Sequence, residues 1–119
     1  MNYKSKKTKR INLLYFEKLD VKPSPAELLI MNVLDKINII YYREVSFNGF
    51  TTDKGHYYRY DFYIPSKNLI IEYDGKAYHN NKVNDVIKNK FCKDNKIKLV
   101  RLNSKHYYHL DSEIKRLLK

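Results

Sequence analysis

Apolar residues recur along this chain with two different periods, and the change from one to the other marks out its elements. Leu29, Ile30, Val33, Leu34 and Ile37 stand at helical spacing behind Ser24-Pro25-Ala26-Glu27. Ser24 suits an N-cap, Pro25 the first helical position and Glu27 the third, so a helix is predicted to run from Pro25 to near Asn38. Three β-branched and aromatic runs follow: Ile39 to Phe47, Tyr57 to Ile64 and Leu69 to Tyr73. A loop from Asn48 to about His56, with Asn48-Gly49 and Lys54-Gly55, separates the first two. Pro65-Ser66-Lys67-Asn68 is a turn between the second and third. Beyond Gly75, Val83, Val86, Ile87 and Phe91 define one face of a second helix that Asp94-Asn95 end. Ile97 to Leu102 reads as a fully buried strand, and Asp111 as the cap of a short last helix through Leu118. The order α-β-β-β-α-β-α predicts an α/β fold over residues 23–119: one small domain with a mixed sheet of about four strands flanked by helices. Residues 1–22 form a basic N-terminal arm, and within it residues 11–22 fit a short helix or an extended arm equally well.

The turn at Pro65 to Asn68 sets a register with consequences. Ile64 then faces Leu69, Tyr63 faces Ile70, and Phe62 faces Ile71, so Asp61 falls opposite Glu72. Residues opposite one another in an antiparallel pair share a face, with Cβ atoms roughly 4.5–5.5 Å apart. Phe62, Ile64, Leu69 and Ile71 take one face; Asp61 and Glu72 take the other, with Asp74 following. Two carboxylates among apolar neighbours repel unless a cation lies between them, and Mg²⁺ is commonly held by one or two carboxylates with phosphate and water. Asp61, Glu72 and Asp74 are therefore candidate metal ligands. The competing reading pairs Glu72 and Asp74 with cationic side chains, for instance Arg59 opposite Asp74. Glu27 has two readings as well. Ser24-x-x-Glu27 is a capping box, yet Glu27 lies three and seven residues before Ile30 and Leu34, on the side of the helix that reaches toward the carboxylates.

Charge sharpens this picture. The 119 residues carry a net charge of +11, distributed as +5 over residues 1–22, zero over 23–60, −1 over 61–79 and +7 over 80–119. Basic ends around a faintly acidic centre suit a phosphate-binding protein with a cation site. A small ribosome-associated protein, or solubilisation by lysine, would share the excess charge. No apolar run reaches membrane-spanning length, and the charged N-terminal residues lead into no apolar stretch, so neither a membrane span nor a secretory signal is expected. One cysteine, Cys92, makes no internal disulfide, and a cytoplasmic, intracellular setting fits best.

Glu27, the hairpin Tyr60-Asp61-Phe62-Tyr63-Ile64-Pro65, the stretch Ile70-Ile71-Glu72-Tyr73-Asp74-Gly75-Lys76-Ala77-Tyr78-His79, Asp85-x-x-Lys88 and Leu99-Val100-Arg101-Leu102 together resemble the PD-(D/E)xK, or restriction-endonuclease-like, nucleases. The nearest look is to very-short-patch-repair-like and small phage-type endonucleases, over about residues 24–103. The resemblance implies a bacterial or phage-encoded, Mg²⁺-dependent endodeoxyribonuclease, with Mn²⁺ able to substitute and no small-molecule cofactor. It implies catalytic roles for Glu27, Asp61, Glu72, Asp74, Lys76, His79 and Lys88. The family pattern places lysine two residues after the strand glutamate, where this chain has Asp74; Lys76 or Lys88 would have to supply the amine. His79 and Asp85 match a histidine and a helix aspartate of the repair-like branch, and His79 could protonate the leaving oxygen or orient water. His106 and His109, flanking Tyr107 and Tyr108, lie outside the motifs and read as loop residues.

The expected partner is DNA, its backbone held by Lys4, Lys6, Lys7, Lys9, Arg10, Lys82, Lys90 and Arg101. In so small a domain, structure-selective cutting at a junction, branch or mismatch is a more natural expectation than strict sequence specificity. Junction resolution would require a homodimer; nicking by a monomer, or service as the nuclease subunit of a larger recombination or transposition assembly, is equally open. A non-catalytic DNA-binding module on the same fold is the rival reading, and a basic RNA-binding protein a third.

Overall fold

The computed structural model describes residues 13–15, 22–75 and 82–119. Its helices are α1 (Pro25–Ile37), α2 (Lys82–Asp94) and α3 (Leu110–Leu117), and its strands β1 (Leu13–Tyr15), β2 (Tyr42–Phe47), β3 (Tyr60–Ile64), β4 (Leu69–Asp74) and β5 (Lys98–Asn103). From β2 to β5 this is the expected mixed sheet, antiparallel except for the parallel β4–β5 pair that α2 connects. Leu13–Tyr15 adds a fifth, outermost strand by pairing antiparallel with β2, so that part of the N-terminal arm belongs to the sheet. No helix among the described residues is long and apolar enough to cross a membrane.

Helices cover both faces. Ile30, Leu34, Phe62, Ile64, Leu69, Ile71 and Ile114 make one core, between the sheet and α1 and α3. Tyr42, Val45, Phe47, Tyr60, Tyr63 and Ile70, with Cys92 of α2, make the other, between the sheet and α2. Full burial of an aliphatic or aromatic side chain stabilises by about 1.5–3 kcal/mol, so both layers contribute substantially.

The β3–β4 hairpin has the expected register from Phe62 onward, where Phe62 pairs with Ile71, Tyr63 with Ile70 and Ile64 with Leu69, but the expected Asp61–Glu72 pair is not part of the ladder. Pro65–Lys67 form a single 3₁₀ turn closed by Asn68 in the left-handed region, at φ 47°. Asn68 suits this position because its short amide tolerates positive φ. That amide also accepts from the Tyr63 hydroxyl at 3.1 Å and donates to the Lys96 carbonyl at 2.7 Å, tying the hairpin to the link before β5.

At the start of α1 the capping box is complete. The Ser24 amide donates to Glu27 Oε1 at 2.8 Å, and the Glu27 amide to Ser24 Oγ at 3.2 Å. Ser24→Ala is expected to cost about 1 kcal/mol, as loss of an N-cap typically does, and to lower the midpoint of thermal unfolding by roughly 4 °C.

Four expectations need correction. The last strand is not fully buried: β5 lies at the sheet edge, so Lys98 is exposed and Leu99, Val100 and Arg101 are only half-buried. Val83 and Val86 are 70% and 64% exposed, while Ile87, Phe91 and Cys92 pack inward. α2 is turned because Lys88, paired with a buried glutamate, takes an inward position that hydrophobicity alone would give to a valine. Asp111 does not cap α3; a 3₁₀ segment, Ser104–His109, runs directly into the helix and leaves Asp111 within its first turn. Ser104–His109 also gives His106 more than a loop role: its Nδ1 accepts from the Asn103 amide at 3.0 Å.

Candidate active site

The strands carrying the acidic residues break their own alternation at one level of the sheet. In β2, Tyr42 belongs to the core under α2, yet so do Val45 and Phe47, at odd spacing from it. Glu44 stands between them with φ 50°, a left-handed backbone unusual for any residue other than glycine. In β3, Tyr60 and Tyr63 share that core with the same odd spacing. The register pairs Arg43 with Phe62 and Val45 with Tyr60, which puts Glu44 across from Asp61 at the break. Held backbone strain of this kind costs of order 1–3 kcal/mol and clusters at functional sites.

Its result is a carboxylate cluster. Glu27 from α1, Glu44 from β2 and Asp61 from β3 each offer an oxygen, and these oxygens lie within 4.8 Å of one another. Glu27 thus both caps its helix and reaches the cluster, so its two readings coexist. Asp61 Oδ2 accepts from the Tyr73 amide at 2.9 Å, which fixes it against β4. Burial first, then Glu72, and more weakly Glu27 and Glu44 push the Asp61 carboxyl up to about 7, against the pull of the Tyr73 amide. Burial and then Glu27 also raise Glu44, opposed by Arg59 and Arg43. The Arg59 guanidinium lies 3.5 Å from Glu44 and is well exposed, so it pairs there and not with Asp74 as the competing sequence reading had it.

Asp61, Glu72, Asp74, Asp85 and Lys88 line one hollow of about 370 Å³. Within it Glu72 is already engaged: Lys88 Nζ lies 2.7 Å from its Oε2 and Arg101 Nε 3.5 Å from its Oε1. Tyr60 places Lys88 from both ends. Its ring lies 4.7 Å below the ammonium, and its hydroxyl donates to the Lys88 carbonyl at 3.0 Å. That hydroxyl also receives the Cys92 thiol at 3.5 Å, so the one cysteine is packed into the α2–β3 contact, where burial pushes its thiol up and leaves it unreactive.

The residues expected from sequence fall into four groups. Glu27, Asp61, Glu72, Asp74 and Lys88 surround the site, but the mutually close carboxylates are Glu27, Glu44 and Asp61, not Asp61, Glu72 and Asp74. Arg101 is turned inward, with Nη1 bonded to Asn89 and Nη2 3.6 Å from Asp85; its guanidinium braces acidic side chains and is not laid out toward solvent. Lys90 is exposed and pairs with Asp94 at 2.8 Å, and Lys82 is the first residue of α2. Lys4, Lys6, Lys7, Lys9, Arg10, Lys76 and His79 lie outside the described residues. Glu44 went unrecognised in the sequence. The available signal was a charged pair, Arg43-Glu44, interrupting an otherwise apolar strand run.

No protein-family model, no curated protein and no solved structure matches this chain.

Proposed function

We propose that this protein is a metal-dependent DNA endonuclease whose centre is Asp61. The observation that carries the reading is the packing of Glu27, Glu44 and Asp61 oxygens within 4.8 Å of one another, beside Glu72, in a chain of net charge +11. Among like charges and partly buried, the Asp61 carboxylate is costly to ionise, and a divalent cation is the natural remedy. The donor set is all carboxylate oxygen, which fits hard ions such as Mg²⁺ or Mn²⁺. Asp61 with Glu27 and Glu44 would hold the ion, while Glu72, paired with Lys88 and Arg101, lines the same hollow as Asp61. When bound, it would supply Lewis acidity to a phosphodiester and to an attacking water.

The chain's own residues have definable tasks. Lys88 supplies the amine that the Asp74 position lacks, entering from α2 and held against Glu72. There it orients Glu72 and offers its remaining N–H donors to a phosphate oxygen or a water in the hollow. Arg101 fixes the second Glu72 oxygen and limits the rotation of that side chain. Asp85, opposite the Arg101 guanidinium, holds it in turn.

One observation favours a second reading, a non-catalytic DNA-binding module. Lys88 and Arg101 neutralise Glu72 without any metal. That reading gives no reason for a strained glutamate beside Asp61 and Glu27. The deciding experiment incubates the protein with linear, nicked, mismatched and four-way-junction DNA in Mg²⁺, in Mn²⁺ and in chelator. Metal-dependent, chelator-sensitive cutting of at least one substrate is expected, with DNA affinity that falls steeply as salt rises. DNA bound in every metal but never cut would leave the second reading in place.

A further inference from the structure

Resting on the nuclease reading, we propose that an unpaired DNA strand leaves the Asp61 site over Tyr73 and Tyr107 and ends against Tyr108, Lys36 and Lys115. The preferred substrate class is then duplex DNA with a single-stranded arm beside the cut. Three hollows form the path, and shared tyrosines link them. Tyr73 lines both the catalytic hollow and a second of about 530 Å³ that includes Glu27. Tyr107 lines the second and a third of about 510 Å³ between α1 and α3. The two rings are neighbours on one core, and Tyr107 adds to the effect of burial in raising the Tyr73 hydroxyl.

The third hollow has the chemistry of a nucleotide site. Tyr108 is 88% exposed and its ring is nearly perpendicular to that of Tyr107, with centroids 5.1 Å apart, so most of the side chain is presented to solvent. Leu29, 38% exposed, gives the hollow an apolar floor. Lys36, Lys115 and Asp111 also line it; Lys36 makes no ion pair among the described residues, while Lys115 is shared with Asp111 at 3.4 Å. An aromatic platform with cations beside it is how proteins hold unpaired strands, because every base has a π-face and every linkage a negative charge. A duplex has its bases stacked internally and could not use Tyr108. An apolar protein segment would leave these lysines without a role.

The test measures fluorescence anisotropy of the full chain, in chelator, with a blunt duplex and with the same duplex carrying an unpaired arm of about ten nucleotides. The armed duplex is expected to bind about tenfold more tightly. Tyr108→Ala and Lys36→Ala should each remove most of that preference and leave blunt-duplex affinity within about twofold, while Tyr108→Phe, which keeps the ring, should retain it. Tyr108 is almost wholly exposed, so its replacement does not threaten folding. Equal affinity for the two DNAs, or a preference that Tyr108→Ala leaves intact, overturns the path. The parallel cleavage assay separates the two claims. A Tyr108-dependent arm preference without cutting in any metal keeps the path and removes the nuclease reading. Asp61-dependent cutting without arm preference does the reverse.

Discussion

Asp61→Ala is expected to abolish cleavage, by about 10³-fold or more, while DNA affinity stays the same or rises. Loss of a single preorganised electrostatic group commonly costs 10²–10³-fold, and Asp61 is more central than most, since Glu27, Glu44 and Glu72 all surround it. Affinity should not suffer, because removing a negative charge from the hollow reduces repulsion of phosphate. The same residue predicts an unusual pH response in the metal-free protein. Its carboxyl is raised to about 7 in the folded state, against about 4 in an unfolded chain. Between these values the folded state binds a proton that the unfolded state has released. Stability contributed by the protonated form is therefore present at low pH, falls as pH rises from about 4 to about 7, and is gone above that. Thermal unfolding in chelator should show this decline, Asp61→Asn should flatten it, and Mg²⁺ should restore stability near pH 8. A metal-free protein whose stability climbs over that range would show that Asp61 already has a cationic partner. Asp61→Ala protein that cuts as well as its parent would remove Asp61 from the chemistry altogether.

The second large effect is expected at Lys88. With the Lys88 and Glu72 side chains 13% and 12% exposed, Lys88→Met leaves a largely buried carboxylate with only Arg101. Breaking a buried pair from one side typically destabilises by about 3–5 kcal/mol. Adding Glu72→Gln should recover part of that loss, since the two residues form one unit. Cutting should fall by about 10²-fold or more in Lys88→Met protein at temperatures where it remains folded, because the amine is then missing from the hollow. A kinetic defect that vanishes once the folded fraction is matched would reduce Lys88 to a structural role.

Local chemistry explains what could be read in the sequence. Pro65 to Asn68 dictated the hairpin, and a side-chain period of two put Phe62, Ile64, Leu69 and Ile71 on one face but failed at Asp61, where the alternation breaks; Ser24 and Glu27 announced the start of α1 through their spacing. These signals live within a few residues of one another. Glu44 is different, because its left-handed backbone has no local signature, and the charged pair Arg43-Glu44 in an apolar run was the one trace of its role. The rotation of α2 was hidden for a related reason. A lysine is ordinarily assigned to solvent, and its inward position follows from Glu72, sixteen residues away on another element. Leu13–Tyr15 is too short to show a period, and its strand character comes from the edge of β2. Elements defined by their own residues were legible, and those defined by a distant partner were not.

The burial of Cys92 on the sheet-facing side of α2 equips this protein with a native reporter. Because Cys92 Sγ meets the Tyr60 hydroxyl that also grips the Lys88 carbonyl, an alkylating reagent can enter only when the helix parts from the sheet. With a single sulfhydryl in the chain, the labelling rate in unmodified protein counts those partings one at a time. How strongly substrate slows that clock measures how firmly it clamps the amine in place.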